Sequence, residues 1–226
     1  MGRSLMTKPD FAVDPKDYAK LLEAIERQHE PLHPDLVPYY EEDSFAMLRH
    51  PLVYQVPFFS GGQANYQYEV KKKLVEEALE KKNYQQVIWL HERPYRLEAF
   101  KEIQEHLSNR QYWSLLGQIW VDTENAWAHL DLWRELFSSD RANREEWLMD
   151  WDEQMAYAGL PETVTVYRGY QPGLNKDGIS WTIKREKAEW FATRFGNKGK
   201  VLEKKVAKRD IIAVFTGRNE YEVVII

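Results

Sequence analysis

TVTVYRGYQPGLNKDGISWTIKREKAEWFA, residues 163–192, is the stretch on which the fold turns. Val164 and Val166 alternate within a β-rich set, so 163–169 reads as a strand. GISWT at 178–182 is a second, shorter strand, and a helix over 183–195 follows it. Thr182 is placed to N-cap that helix, and Ala188, Phe191 and Ala192 share one of its faces. Downstream, VLEKKV (201–206), DIIAVF (210–215) and EYEVVII (220–226) are three further strand candidates. Strands gathered after helices predict an α+β fold rather than a doubly wound parallel sheet.

Upstream the chain reads as mostly helical. Residues 1–15 contain Pro9 and Pro15 and look like an arm, and 16–29 has helical spacing. The segment 30–66, with five prolines and the Gly61-Gly62 pair, reads as irregular. An amphipathic helix is expected over 67–83, with Lys71, Lys72 and Lys73 on its solvated side. VIWL at 87–90 suits either a strand or a buried turn. Helices are expected over 96–108, 111–137 and 142–158. Trp113, Trp120 and Trp127 fall seven apart, with Leu116, Ile119 and Leu130 in the same stripe, and read as core, with a base-stacking platform as the minor alternative. The expected organisation is a helical region at 1–160, part of the same compact unit or a leader subdomain, packed on a small mixed or antiparallel β core at 161–226.

Composition bounds the chemistry. At roughly 150 residues per domain, 226 residues make one large domain or one and a half. The absence of cysteine excludes disulfides, zinc–cysteine sites, iron–sulfur clusters and a thiol nucleophile, and fits a reducing, cytoplasmic setting. No stretch approaches the ~18 consecutive apolar residues of a spanning helix. MGRSLMTKPD has no apolar signal region, and Met6 stands where a myristoylation signal takes Ser or Thr. The net charge of -5 divides into +5 over residues 161–226 and -10 over 1–160. A basic C-terminal part suits a phosphate-bearing ligand.

Several motifs fail. His91-Glu92 lacks a second His at i+4, and Pro94 would break that helix, so no metal site is expected. Ser180 sits before a helix as a nucleophilic serine would. No His follows His129, however, while a hydrolase of that type needs Ser before His. Gly196, Gly199 and Gly217 match no phosphate-loop spacing.

One constellation survives: Arg168-Gly169 at a strand end, Ser180 in S-W-T, and Glu220-Tyr221-Glu222 opening a strand. On a strand, i and i+2 point to one face, so Glu220 and Glu222 are expected to project together. Paired carboxylates repel, which raises the pKa of one of them. One can then stay ionised while the other serves as a base. A guanidinium grips phosphate as a bidentate fork, and a serine hydroxyl can orient a carboxylate.

YRG (167–169), SWT (180–182) with Ala188, Phe191 and Ala192 after it, and EYE (220–222) together resemble the R-S-E class of ADP-ribosyltransferases. The resemblance covers about residues 161–226. It implies an ADP-ribosyltransferase-type β core and NAD as co-substrate, without a metal. It implies that Arg168 binds the NAD phosphates, with Tyr167, Gly169, Ser180, Thr182 and Phe191 completing the NAD site. Ser180 would orient Glu222, and Glu222 would stabilise an oxocarbenium-like transition state. Glu220 would activate the acceptor, as in the arginine-modifying subgroup. Phe215, Arg218 and Asn219 would form the acceptor-recognition turn. Trp181 departs from the usual middle Thr, and only eleven residues separate Arg168 from Ser180. The NAD clamp must therefore be minimal or supplied by the preceding helices. The acceptor implied is a protein arginine or an RNA base. The layout is similar to intracellular toxins of bacterial and phage-defence systems, some of them controlled by an antitoxin protein. Alternatives are an NAD glycohydrolase and, last, a binding module without catalysis.

Overall fold

The computed structural model describes residues 30–196, 198–217 and 220–226. The expected arm at 1–15 and helix at 16–29 lie outside the described residues, as do Arg218 and Asn219. The protein is α+β with two antiparallel sheets. It divides into two compact units, Met1–Glu92 and Arg93–Ile226.

In the first unit, strands β1 (Tyr40–Glu42), β2 (Ala46–His50) and β3 (Val53–Gln55) form an antiparallel meander. Tyr40 lies opposite Leu48, and His50 opposite Val53. The sheet stands where an irregular segment was expected. Its strands are too short to show more than one or two turns of alternation, and turn formers surround them. Helix α1 (Gly61–Glu80) begins earlier than expected because the Ser60 hydroxyl accepts from Gln63 N at 3.2 Å. VIWL ends helix α2 (Tyr84–Leu90), which Asn83 caps through its side chain. Leu36, Leu48, Leu52, Val53, Ala64 and Tyr68 form a core cluster in this unit.

In the second unit, helices α3 (Arg96–Ile103), α4 (Asn109–Asp122), α5 (Leu130–Phe137), α6 (Arg144–Trp147) and α7 (Trp151–Ala158) precede the sheet. A Ser108–Gln111 capping box starts α4. The expected continuous helix at 111–137 is broken. Thr123 adopts extended backbone, its hydroxyl donates back to the Ile119 carbonyl at 2.7 Å, and a short 3-10 turn (Ala126–His129) leads into α5. The expected helix at 142–158 is likewise two, because Asp150 N-caps α7 in a capping box with Glu153.

The five strands are β4 (Thr163–Tyr170), β5 (Ser180–Thr182), β6 (Lys200–Ala207), β7 (Ala213–Phe215) and β8 (Glu222–Val224). Their order is β6-β4-β5-β8-β7, with every neighbouring pair antiparallel. Helix α8 (Arg185–Thr193) follows β5 and packs on β4. Lys184, not Thr182, occupies its N-cap. The Thr182 hydroxyl instead donates to the Glu220 carbonyl at 2.7 Å and accepts from Lys184 N at 3.1 Å.

The two units part at 92/93, within the helical region expected at 1–160. The helices of the second unit share a core with its sheet. Val214 N lies 3.2 Å from Met149 Sδ, Thr216 N donates to Glu153 Oε1 at 3.4 Å, and Lys208 Nζ donates to the Ala158 carbonyl at 2.7 Å.

Candidate functional site

Strands β4, β5 and β8 are neighbours, so the topology brings Arg168, Ser180 and Glu222 side by side from distant points of the chain. They line a cavity of about 630 Å³ within the second unit. Tyr167, Gly169, Thr182, Phe191, Phe215 and Glu220 line it too, so the described members of the predicted set converge.

Arg168 is anchored before any ligand arrives. Its Nη1 donates to the Ser180 carbonyl and its Nη2 to the Asn175 carbonyl at 2.8 Å. Its Nε is buried with no hydrogen-bond partner among the described residues. Burial works against the charge, and Glu222 and Asp177 favour it. A guanidinium keeps its proton under such pressure. Gly178 makes room: a Cβ there would fall on Arg168 Nη2. The β4–β5 loop that supplies the Asn175 carbonyl is pinned by Arg134 of α5 donating to the Asp177 carbonyl at 2.9 Å. Gln171 of the same loop donates to Asn175 Oδ1 through its backbone (2.9 Å) and to the Ala192 carbonyl through its side chain (2.8 Å).

Gly169 serves packing as much as the cavity. A Cβ there would collide with the Ala188 carbonyl of α8, so the helix rests directly on β4.

Glu222 is held at both carboxylate oxygens. Ser180 Oγ donates to Oε1, and the Trp120 indole N–H donates to Oε2 at 3.0 Å. Burial pushes its carboxyl above the ordinary range. The two hydrogen bonds and Arg168 pull the other way, and Glu220 adds to the rise.

Glu220 and Glu222 do not share a regular strand. Tyr221 sits at φ +48° in the left-handed region, so β8 begins only at Glu222. The two carboxylates reach one cavity through a tight turn fastened by Thr182, not through strand alternation. Phe215 lies opposite Glu222 on β7 and is almost fully buried, so its ring is cavity wall.

Two contributors were read in the sequence as plain core. Trp120 is 4% exposed and Trp113 0%, as a core stripe requires, yet Trp120 also bonds Glu222. Trp127 is 52% exposed and lines the cavity, because α4 ends before it. The seven-residue spacing was the available signal. It marks which indoles share a helix face but not which strand lies opposite.

No group of three or more His, Asp or Glu suited to a metal ion occurs among the described residues, and none of their helices is long and apolar enough to cross a membrane. Compared with known proteins, the chain matches no protein-family model, no curated protein and no solved structure.

Proposed function

We propose that the protein transfers ADP-ribose from NAD to a macromolecular acceptor. The observation that carries this reading is the Glu222 carboxylate, held by Ser180 in a cavity shared with Arg168, on three adjacent strands in the R-S-E arrangement.

The residues present fit the dinucleotide. The cavity's 630 Å³ lies in the usual ligand-site range of roughly 300–1,000 Å³. Arg168 retains N–H groups on Nη1 and Nη2 beyond those bonded to carbonyls, for a pyrophosphate. Tyr167, Phe191 and Trp127 offer aromatic faces for rings. NAD supplies the ADP-ribosyl group and a nicotinamide leaving group. Glu222, ionised, sets negative charge where positive charge develops on the ribose, an electrostatic contribution. Ser180 fixes the direction of that carboxylate. Glu220, in the same cavity, accepts the proton of the attacking nucleophile. An arginine side chain and an RNA base are the acceptors this arrangement serves.

The protein is incubated with cell lysate and labelled NAD, and the product is sorted by protease and RNase. Wild type is expected to label a macromolecule, and Glu222→Gln to lose transfer by at least roughly 100-fold with unchanged circular dichroism. Free ADP-ribose as the only product makes water the acceptor. Full activity of Glu222→Gln, or no cleavage of NAD by the wild type, overturns the reading.

A further inference from the structure

Glu222 takes one hydrogen bond from its own sheet and one from outside it. The Trp120 indole N–H that meets Oε2 at 3.0 Å comes from the last turn of α4, in the helical part of the unit. The indole is fixed in place. It meets Trp133 edge to face at 4.8 Å and 89°, and Phe137 at 5.4 Å and 71°, both on α5. Trp133 and Phe137 in turn stack at 5.4 Å and 21°.

The neighbouring indoles show that this bond is more than routine satisfaction of a buried donor. Trp113 gives its N–H to the main-chain carbonyls of Arg141 and Ala142, each at 3.2 Å. Trp133 Nε1 is buried with no hydrogen-bond partner among the described residues, so this aromatic block tolerates an unused indole N–H. Trp120 alone of the three aims its donor at a carboxylate that lines the cavity.

We propose that Trp120 is a positioning residue for Glu222: its N–H and the Ser180 hydroxyl pin the two carboxylate oxygens from α4 and β5, fixing the carboxylate plane toward the cavity. The proposal deepens the reading of Glu222 as the carboxylate that does the chemistry, and rests on it for its kinetic consequence. The charged groups acting on Glu222 are Arg168 from β4 and Glu220 from the preceding turn. An indole donor favours the ionised carboxylate. Removing it shifts the carboxylate toward the protonated form, so activity that needs the anion then requires a higher pH.

Two measurements test this. In Trp120→Phe, which keeps a buried aromatic ring, kcat for NAD cleavage is expected to fall roughly 10- to 100-fold, with KM within about twofold of wild type. The acidic limb of its pH profile is expected to move upward. Independently of any activity, indole N–H resonances of 15N-labelled wild type are followed with pH. One downfield signal is expected to move as Glu222 protonates, and in Glu222→Gln the same signal is displaced and no longer titrates. Wild-type kcat and an unmoved limb in Trp120→Phe overturn the proposal. So does a wild-type spectrum in which no indole signal responds to Glu222→Gln, a result that decides the matter if Trp120→Phe does not fold. Absence of NAD cleavage by the wild type alongside a titrating indole removes the transferase reading while the Trp120–Glu222 coupling stands.

Discussion

At Gly178 a missing side chain sets the position of a charge. The Arg168 guanidinium occupies the space a Cβ would take, and from there it reaches the Ser180 and Asn175 carbonyls. Gly178→Ala displaces the end of a flexible side chain rather than backbone, so the fold should survive. The guanidinium would leave its carbonyl anchors and present a different face to the cavity. Loss of one charge-assisted bond to a ligand is worth about 1.5–3 kcal/mol. Gly178→Ala is therefore expected to raise KM for NAD by roughly tenfold or more with a smaller change in kcat. An unchanged KM would show that Arg168 does not grip the dinucleotide in this pose. The pair at 220 and 222 teaches a related lesson. The residue types predicted two carboxylates in one place, but the left-handed Tyr221, not strand alternation, delivers them.

Among the elements, β2 carries a buried titratable group. His50 is 9% exposed and meets Tyr39 and Tyr68 edge to face at 4.6 and 5.0 Å. Its Nδ1 accepts from Leu52 N at 3.0 Å, which requires the neutral ring. Burial lowers its pKa to about 4; Lys72 and His91 add to the fall and Asp35 opposes it. The unfolded chain takes up this proton near its ordinary pKa of about 6.5. The folded-state pKa lies below the unfolded one, so the His50 contribution is fully present above pH ~6.5 and is drained as pH falls toward 4. The expected loss is on the order of 3 kcal/mol across that window. Calorimetric melting should show a flatter pH dependence from 6.5 to 4 in His50→Asn, whose side-chain oxygen can still accept from Leu52. An identical dependence would place the titration elsewhere. This strand was not legible beforehand. Of AMLRH, only Leu48 and His50 are buried, and a buried polar residue blurs the alternation that marks a half-buried strand.

For the molecule as a whole, the second unit is larger than the stretch that resembles a catalytic core. All three residues of β7 are buried, and α7 packs on that strand. Cutting at 160 would expose them and remove the Trp120 and Glu153 partners of the sheet. A fragment of residues 161–226 is expected to stay unfolded, while 93–226 should unfold cooperatively and keep the proposed NAD cleavage, since every described cavity-lining residue lies within it. Circular dichroism melts of the two fragments decide this. A cooperative transition in 161–226 would show that the helices are dispensable.

Local pattern was enough to predict the α+β class, strand β4 with Arg168 at its end, a helix after Ser180, and strands near the C-terminus, because period-2 alternation and helical spacing are written in neighbouring residues. It also singled out Arg168, Ser180, Glu220 and Glu222 as one group. Tertiary structure alone decided that β5 lies between β4 and β8, so that these residues meet. It alone ended α4 at Asp122, sending Trp120 to Glu222 and Trp127 to the cavity. The physical reason is range. Residues a few positions apart share a backbone period, whereas Trp120 and Glu222 stand 102 residues apart and are joined by a bond that exists only once helix and sheet have packed.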